Sequence, residues 1–191
     1  MSIKKDLFKQ IGAYLMATLK DLPPELNLPD LQHFDKQMGQ FTNPELSYAI
    51  PLPCVLMEYG QFNWKTVGKN QQRGDGYIRF YLYFENYADS FTGSVNQELA
   101  LQFFEYSEQL NMALNGFSLP GMKSLERVSD NEDTAQDMII TSMVDFGTVI
   151  DDIASDYTRN FVMADPDVTV LRVKQTSRPP GTPFTDGFIM P

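Results

Sequence analysis

The segment 51–91 constrains the fold of this chain more than any other part of its 191 residues. Two apolar, aromatic-rich runs, PCVLMEYG and YIRFYLYFEN, lie on either side of the short run FNWKTV and the polar stretch GKNQQRGDG. In both flanking runs the side chains alternate as they do in a β-strand, whose successive residues point to opposite faces. The polar stretch, 68–76, has no apolar residue, so we predict a long loop that projects from the sheet.

Helical spacing marks one segment on each side of these strands. The N-terminal segment carries apolar residues at Ile3, Leu7, Ile11 and Leu15, a stripe that ends before two consecutive prolines. The second segment begins with SVNQ, a capping-box pattern at Ser94, and ends at Asn-Gly. We predict that one stripe of this second helix is buried, formed by Leu99, Phe103, Tyr106, Leu110 and Leu114.

The remaining segments complete a single sheet. KSLERVS and DMIITSMVDFGTVI read as a second hairpin around the acidic turn DNEDTAQ, whereas 23–50 reads as a long irregular connection. The predicted order is helix, three strands, helix, two strands. This order indicates an α+β fold, with a single mostly antiparallel β-sheet on which an N-terminal helix and a second helix pack.

The chain divides near residue 155. We predict an α+β domain over 1–155 and a C-terminal extension over 156–191, because the last 16 residues hold four prolines and two glycines. Two interpretations of the extension stay open: a flexible, unstructured end, or an arm that becomes ordered on a neighbouring subunit. Three large apolar residues favour the arm and would anchor it: Phe184, Phe188 and Ile189.

Composition limits the classes of function. The net charge of −10 disfavours binding of nucleic-acid phosphate by the whole surface. A single cysteine excludes an internal disulfide and favours a reducing compartment. No apolar run approaches the length of about 18 residues that a membrane-spanning helix needs. We therefore expect a soluble protein that makes no use of a membrane.

Candidate catalytic residues are few and lack recognisable spacing. His33 is the only histidine and stands in no motif, and Cys54 lies in a predicted strand, where a small buried residue is the better interpretation. The acidic turn does not have the ligand spacing of a calcium loop. We therefore predict no enzymatic activity, no cofactor and no metal site. An unrecognised carboxylate pair for acid–base work stays open among Asp145, Asp151, Asp152 and Asp156.

Several of these segments together resemble a known family. An N-terminal helix leads to PCVLMEYG, then to a strand with the only tryptophan, a polar loop and YIRFYLYFEN; a helix ending in LNG and LERVSDNEDTAQDMIITSMVDFG follow. Over about residues 1–150 this order is similar to the tail-terminator and tail-completion family of tailed bacteriophages and prophages. The resemblance implies a non-enzymatic ring, often a hexamer, that caps the tail tube and joins it to the head connector.

The resemblance also implies where contacts lie. The projecting loop would meet a partner or a DNA-carrying channel, without specific binding to the DNA, through Lys65, Lys69, Arg73 and Asp75. Sheet edges and the second helix would form the ring, through Tyr77, Tyr81, Tyr83 and Phe104. The expected location is the virion, after assembly in the host cytoplasm.

Other functions stay open at this point. The connection 23–50 and the extension after about 155 depart from the family, which leaves room for a head–tail adaptor or a ring protein of a short-tailed phage. A small non-enzymatic module is a further alternative: it would bind an acidic or peptide ligand in a cleft near Trp64 or His33.

Overall fold

A computed structural model describes residues 2–20, 22–41, 50–68, 71–85, 91–136 and 139–152. Two helices and five strands make up this part of the chain, together with one turn of 3₁₀ helix at Pro24–Leu26. In chain order the elements are α1 (Ile3–Thr18), β1 (His33–Lys36), β2 (Cys54–Gly68), β3 (Gln71–Glu85), α2 (Gln97–Leu114), β4 (Glu126–Gln136) and β5 (Ile139–Asp152).

The five strands form one sheet in the order β1-β2-β3-β5-β4. β1 runs parallel to β2, and the three other pairs are antiparallel. The predicted α+β class with a mostly antiparallel sheet and two helices is thus confirmed. β3 is the central strand, as its apolar sequence predicts, since it pairs with β2 on one side and β5 on the other.

Both helices pack on the same face of the sheet and build the main core there. α1 buries Leu7, Ile11 and Leu15, as its apolar stripe predicts. The core joins the buried side chains of both helices to the alternate residues of β3 that face them. Its largest members are Tyr106, Phe80, Phe103 and Phe146.

The opposite face of the sheet is covered only at one end. There Cys54, Leu56 and Tyr83 form a small second cluster. Side chains from outside the strands lie against them: Phe41, Ile50 and Leu52. Further along the strands this face carries polar and charged groups, as described below.

The predicted projecting loop at 68–76 is wrong, because most of it is strand. β2 is one continuous strand that includes both PCVLMEYG and the tryptophan run, and β3 already begins at Gln71. Arg73 pairs with Lys65 of β2 on one side and with Asp151 of β5 on the other. Backbone hydrogen bonds on both sides hold this polar segment extended, so it needs no apolar side chains to form a strand.

Two further segments that the sequence predicted as irregular or as a turn contain β-strand. The connection 23–50 contains the strand β1, which the prolines around it conceal in the sequence. The acidic stretch predicted as a turn belongs to β4, where Asp130 pairs with Val144 and Glu132 with Ser142. The predicted hairpin of β4 and β5 exists, but its strands are longer and its connection shorter.

The second helix begins two residues later than the capping box predicts. Its first residue is Gln97, and the Ser94 hydroxyl accepts a hydrogen bond from the Asn96 backbone N–H at 3.2 Å, which places it in a turn before the helix. Leu99 was expected in the buried stripe but is 53% exposed, because no described residue covers the first turn at that point. Phe103, Tyr106, Leu110 and Leu114 are buried as predicted.

Several predictions fall outside the described residues. Lys69 lies between β2 and β3, and Phe184, Phe188 and Ile189 lie in the segment 153–191. The division of the chain near residue 155 and the arm with its three anchors therefore stay predictions.

Candidate interaction surface

The sheet face opposite the helices collects most of the residues that the sequence marked as contacts. Along β3 the side chains of Arg73, Asp75, Tyr77, Tyr81 and Tyr83 point to this face, since they alternate with the residues that the helices cover. Lys65 lies directly opposite Arg73 on β2 and shares the face. The predicted loop residues other than Lys69, which lies outside the described residues, thus form one continuous strip with the predicted tyrosines.

An ion-pair network occupies the middle of this strip. Arg79 Nε donates to Asp145 Oδ1 at 2.6 Å and its Nη2 donates to Oδ2 at 2.8 Å, a bidentate pair between β3 and β5. Ser129 Oγ of β4 donates to the same carboxylate at 3.1 Å. The hydrogen bond from Arg79 holds the pKa of Asp145 below its ordinary value of 3.8. This network ties three strands together.

A second pair neutralises the positive charge predicted near the hairpin end. Arg73 Nε donates to Asp151 Oδ1 at 2.6 Å, and this hydrogen bond lowers the pKa of Asp151. Lys65 remains as an exposed cation of the strip, with no ion pair found for it among the described residues. The basic patch that the sequence predicted for a channel is therefore weaker than its residues suggest.

The described carboxylates Asp145 and Asp151 do not converge into an acid–base pair, and Asp156 lies outside the described residues. Asp145 and Asp151 are six residues apart on one strand, a separation of about 20 Å at the usual rise. Each already binds an arginine. Across the described ranges, no three His, Cys, Asp or Glu side chains gather in a way that would hold a metal ion.

Two of the predicted contact residues are not accessible on the strip. Tyr83 is only 5% exposed: it stacks on Phe41 with ring centroids 4.0 Å apart and accepts a hydrogen bond from Gln37 Nε2. Tyr83 is therefore covered within its own chain and offers little surface to a neighbour. Phe104 is half exposed, but it lies on α2, on the other side of the sheet.

His33 and Cys54 lie side by side on neighbouring strands but do not form a catalytic pair. They are partners in the parallel register of β1 and β2. Burial raises the pKa of the Cys54 thiol to about 12, which leaves it protonated and unreactive at neutral pH. His33 Nε2 is buried without a hydrogen-bond partner, and Asp35 Oδ2 lies 3.9 Å away. The prediction that Cys54 is a small buried residue is confirmed.

The first outer edge of the sheet lies along β2. β1 pairs only with Cys54–Met57, and no other described strand pairs with β2 on that side from Glu58 to Gly68. A β-bulge interrupts the ladder to β3 between Tyr59 and Phe62. Trp64 and Val67 are exposed further along. An unpaired edge of this kind is a template for another strand.

Lysines from distant parts of the sequence surround this β2 edge. Lys4, Lys5 and Lys36 line a cavity of about 340 Å³ over Phe8, Met57 and Tyr59. Lys4 Nζ lies 5.1 Å from the ring centroids of both Tyr59 and Phe62. Sequence reasoning missed this cluster, because its lysines meet only through the parallel strand β1, which the sequence does not reveal.

The second outer edge lies along β4 and has the opposite charge. β4 pairs with β5 on one side only, and no described strand lies on its other side. The residues Glu126 to Glu132 are all exposed, with Asp130 and Glu132 among them. A β-bulge lies between Arg127 and Ser129, beside the exposed Val128.

Comparisons with known proteins do not indicate a function, so the surface described above is the main evidence for one. No model of a protein family matches the chain, and no curated protein is similar to it in sequence. In the part of the chain that the structure describes, neither helix has the length and apolar character needed to cross a bilayer.

Proposed function

We propose that this chain is a structural virion protein of a tailed phage or prophage, which forms a ring at the head–tail junction. In this role it caps the tail tube and joins it to the head connector, as a tail terminator or tail-completion protein does. The resemblance over 1–150 supports the phage assignment, and the α+β fold with a long hairpin is compatible with it.

One observation carries the proposal: the single sheet of the described residues has two edges of opposite charge on which no described strand pairs. In a monomer such edges are a disadvantage, because they expose unpaired backbone donors and acceptors and favour uncontrolled association. Closing a ring pairs one edge with the other on the next copy and leaves none open. The need for self-association therefore rests on the strand edges rather than on the tyrosines of β3, since Tyr83 is buried and Tyr77 and Tyr81 are half-buried.

The described residues also favour a role without turnover. Both arginines of β3 on the open face are held in ion pairs that link strands, Arg79–Asp145 and Arg73–Asp151. Such pairs stiffen the sheet and hold its exposed half in shape. A rigid subunit suits a part whose function is to fix the geometry of a junction.

Particle composition and assembly test the phage assignment. Phage particles from the host that encodes this chain should contain it, in a fixed ratio to the tail-tube subunit, as measured by quantitative mass spectrometry. Deleting its gene should leave filled heads and separate tails visible by electron microscopy. Intact, infectious particles that lack the protein would contradict the assignment.

A small binding module is the second candidate, and the lysine-lined cavity beside β2 favours it. Apolar walls with a basic rim suit an acidic peptide with an aromatic or aliphatic side chain. Under this alternative the protein is a monomer, and Lys4→Glu with Lys36→Glu abolishes peptide binding in calorimetry. The cavity is lined by Lys36 and Tyr59, whereas the sequence placed such a cleft near Trp64 or His33, neither of which lines it.

A further inference from the structure

We propose that the β4 edge of one subunit pairs with the β2 edge of the next, so that the sheet continues from copy to copy. This inference rests on the ring proposed above and names its subunit contact. The partner is therefore a second copy of this chain, and the contact is head-to-tail, since two different edges meet.

The backbone of β2 has identifiable groups on its open side. Gln37 N–H donates to Met57 O, so the odd-numbered residues at this end of β2 turn their backbone groups towards β1. Odd-numbered residues continue to turn their backbone groups towards this side as far as Tyr59. The bulge that follows adds one residue, so that even-numbered residues do so beyond it. After the bulge, Phe62, Trp64 and Thr66 therefore turn their N–H and C=O groups away from β3.

The same reasoning identifies the free groups of β4. Lys123 N–H donates to Val149 O and Asp151 N–H donates to Gly121 O, so odd-numbered residues of β5 face the β4 side. In the β4–β5 register, Ser129 and Asn131 lie opposite such residues, so their backbone N–H and C=O groups are directed towards β5. The backbone groups of Asp130 and Glu132 are thus the ones that point outwards.

The bulges restrict where the two edges can meet. On β2 the regular ladder runs from Phe62 to Thr66, between two register shifts. On β4 it runs from Ser129 to Asp133, again between two shifts. Each edge thus offers one short regular stretch, which limits the number of registers and prevents the open-ended association that a long flat edge allows.

Charge favours unlike edges over like ones. The β2 edge carries Lys65 and lies beside the lysines of α1 and β1. The β4 edge is negative overall, since Glu126, Asp130 and Glu132 outnumber Arg127, which lies 3.6 Å from Asp130. Pairing β2 with β4 brings opposite charges together, and pairing either edge with itself brings like charges together. A head-to-tail contact of this kind generates a ring when its rotation closes.

Proline variants at outward-facing positions test the contact, because proline removes the free N–H and blocks an approaching strand. Thr66→Pro inactivates the β2 edge and Glu132→Pro inactivates the β4 edge, while the bonds to β3 and β5 stay intact. Each variant alone should lose self-association by about tenfold or more and sediment as a monomer. Mixed together, they should form a one-to-one dimer and nothing larger, since each retains one complementary edge.

Matched controls and separate outcomes keep the test decisive. Thr66→Val and Glu132→Gln retain the N–H and should assemble, and circular dichroism with thermal melting shows that the proline variants remain folded. If either proline variant alone forms the wild-type oligomer, or if the mixture stays monomeric, the edge contact is wrong while the ring itself stands. A monomeric wild-type protein overturns both, and absence of the chain from phage particles overturns only the phage assignment.

Discussion

At the residue scale, the carboxylate of Asp145 has the strongest structural role on the open face. It accepts two hydrogen bonds from Arg79 and one from Ser129, and its side chain is only 16% exposed. Bidentate pairs of this kind are stronger than ordinary surface pairs because solvent screens them less. Since the network joins β3, β5 and β4, its loss weakens the sheet across its width.

We expect Asp145→Asn to lower the free energy of unfolding by about 1–3 kcal/mol at neutral pH, measured by urea denaturation. The folded-state pKa of Asp145 is depressed, so its contribution is fully present above the ordinary value of 3.8 and is lost as the pH falls through the lower folded value. The difference between variant and wild type should therefore shrink as the pH falls below 3.8. Asp151→Asn removes the more exposed ion pair and should lower the free energy of unfolding by less. A loss of stability in Asp145→Asn that is the same at every pH would contradict this account.

Gly76 supports the bulge in β2 by having no side chain. A Cβ atom added there would overlap the Gln61 carbonyl oxygen and the Phe62 ring. We expect Gly76→Ala to destabilise the fold by about 1–3 kcal/mol in thermal or urea unfolding, because backbone cannot yield as a flexible side chain does. Gly68→Ala is the matched control, since its new methyl would meet only the Gln71 side chain, whose nearest atom is the terminal oxygen at 3.3 Å. Equal effects of the two changes would show that the bulge does not depend on the glycine.

Much of the residue pattern was predictable from the sequence, but its limits are physical. The apolar alternation of Ile78, Phe80 and Leu82 correctly identified the central strand, because a strand covered by helices needs those side chains. The segment around Arg73 and Asp75 was read as a loop, because its pairing depends on backbone bonds to β2 and β5 that leave no apolar signature. The lysine cluster depends on β1, a strand of four residues that the flanking prolines obscure.

At the scale of elements, α2 is held by one buried stripe and is exposed elsewhere. Leu110 is fully buried against the sheet, whereas Leu99 of the same helix is 53% exposed. The sequence predicted both as buried, because helical spacing identifies a stripe but not the point at which the sheet beneath it ends. Burial at Leu110 therefore measures how firmly the helix is attached to the sheet.

We expect Leu110→Ala to reduce the free energy of unfolding by about 2–5 kcal/mol, the usual cost of a cavity in a core. Leu99→Ala, which makes the same chemical change on the same helix, should alter it by no more than about 0.5 kcal/mol. Urea unfolding monitored by circular dichroism compares the two directly. A large loss at Leu99 would show that another part of the chain covers the first turn of α2.

At the scale of the whole molecule, the two open edges of one sheet connect fold and function. The core between the helices and the sheet is well buried, although Leu99, Phe104 and Met112 of α2 remain exposed on its outer side. The free backbone groups of β2 and β4 give a reason for association, and their opposite charges define how copies meet. The sequence predicted a ring through resemblance, but the location of the contact emerges only when the strand order is known.

Sedimentation of the wild-type protein over a range of concentrations, with negative-stain imaging of the heaviest species, tests self-association most directly. We expect closed annular particles of a single size that dissociate when the salt concentration is raised, because opposite charges help to hold the edges together. A protein that sediments as a monomer at every concentration, or that grows into open filaments without closed rings, would contradict the account.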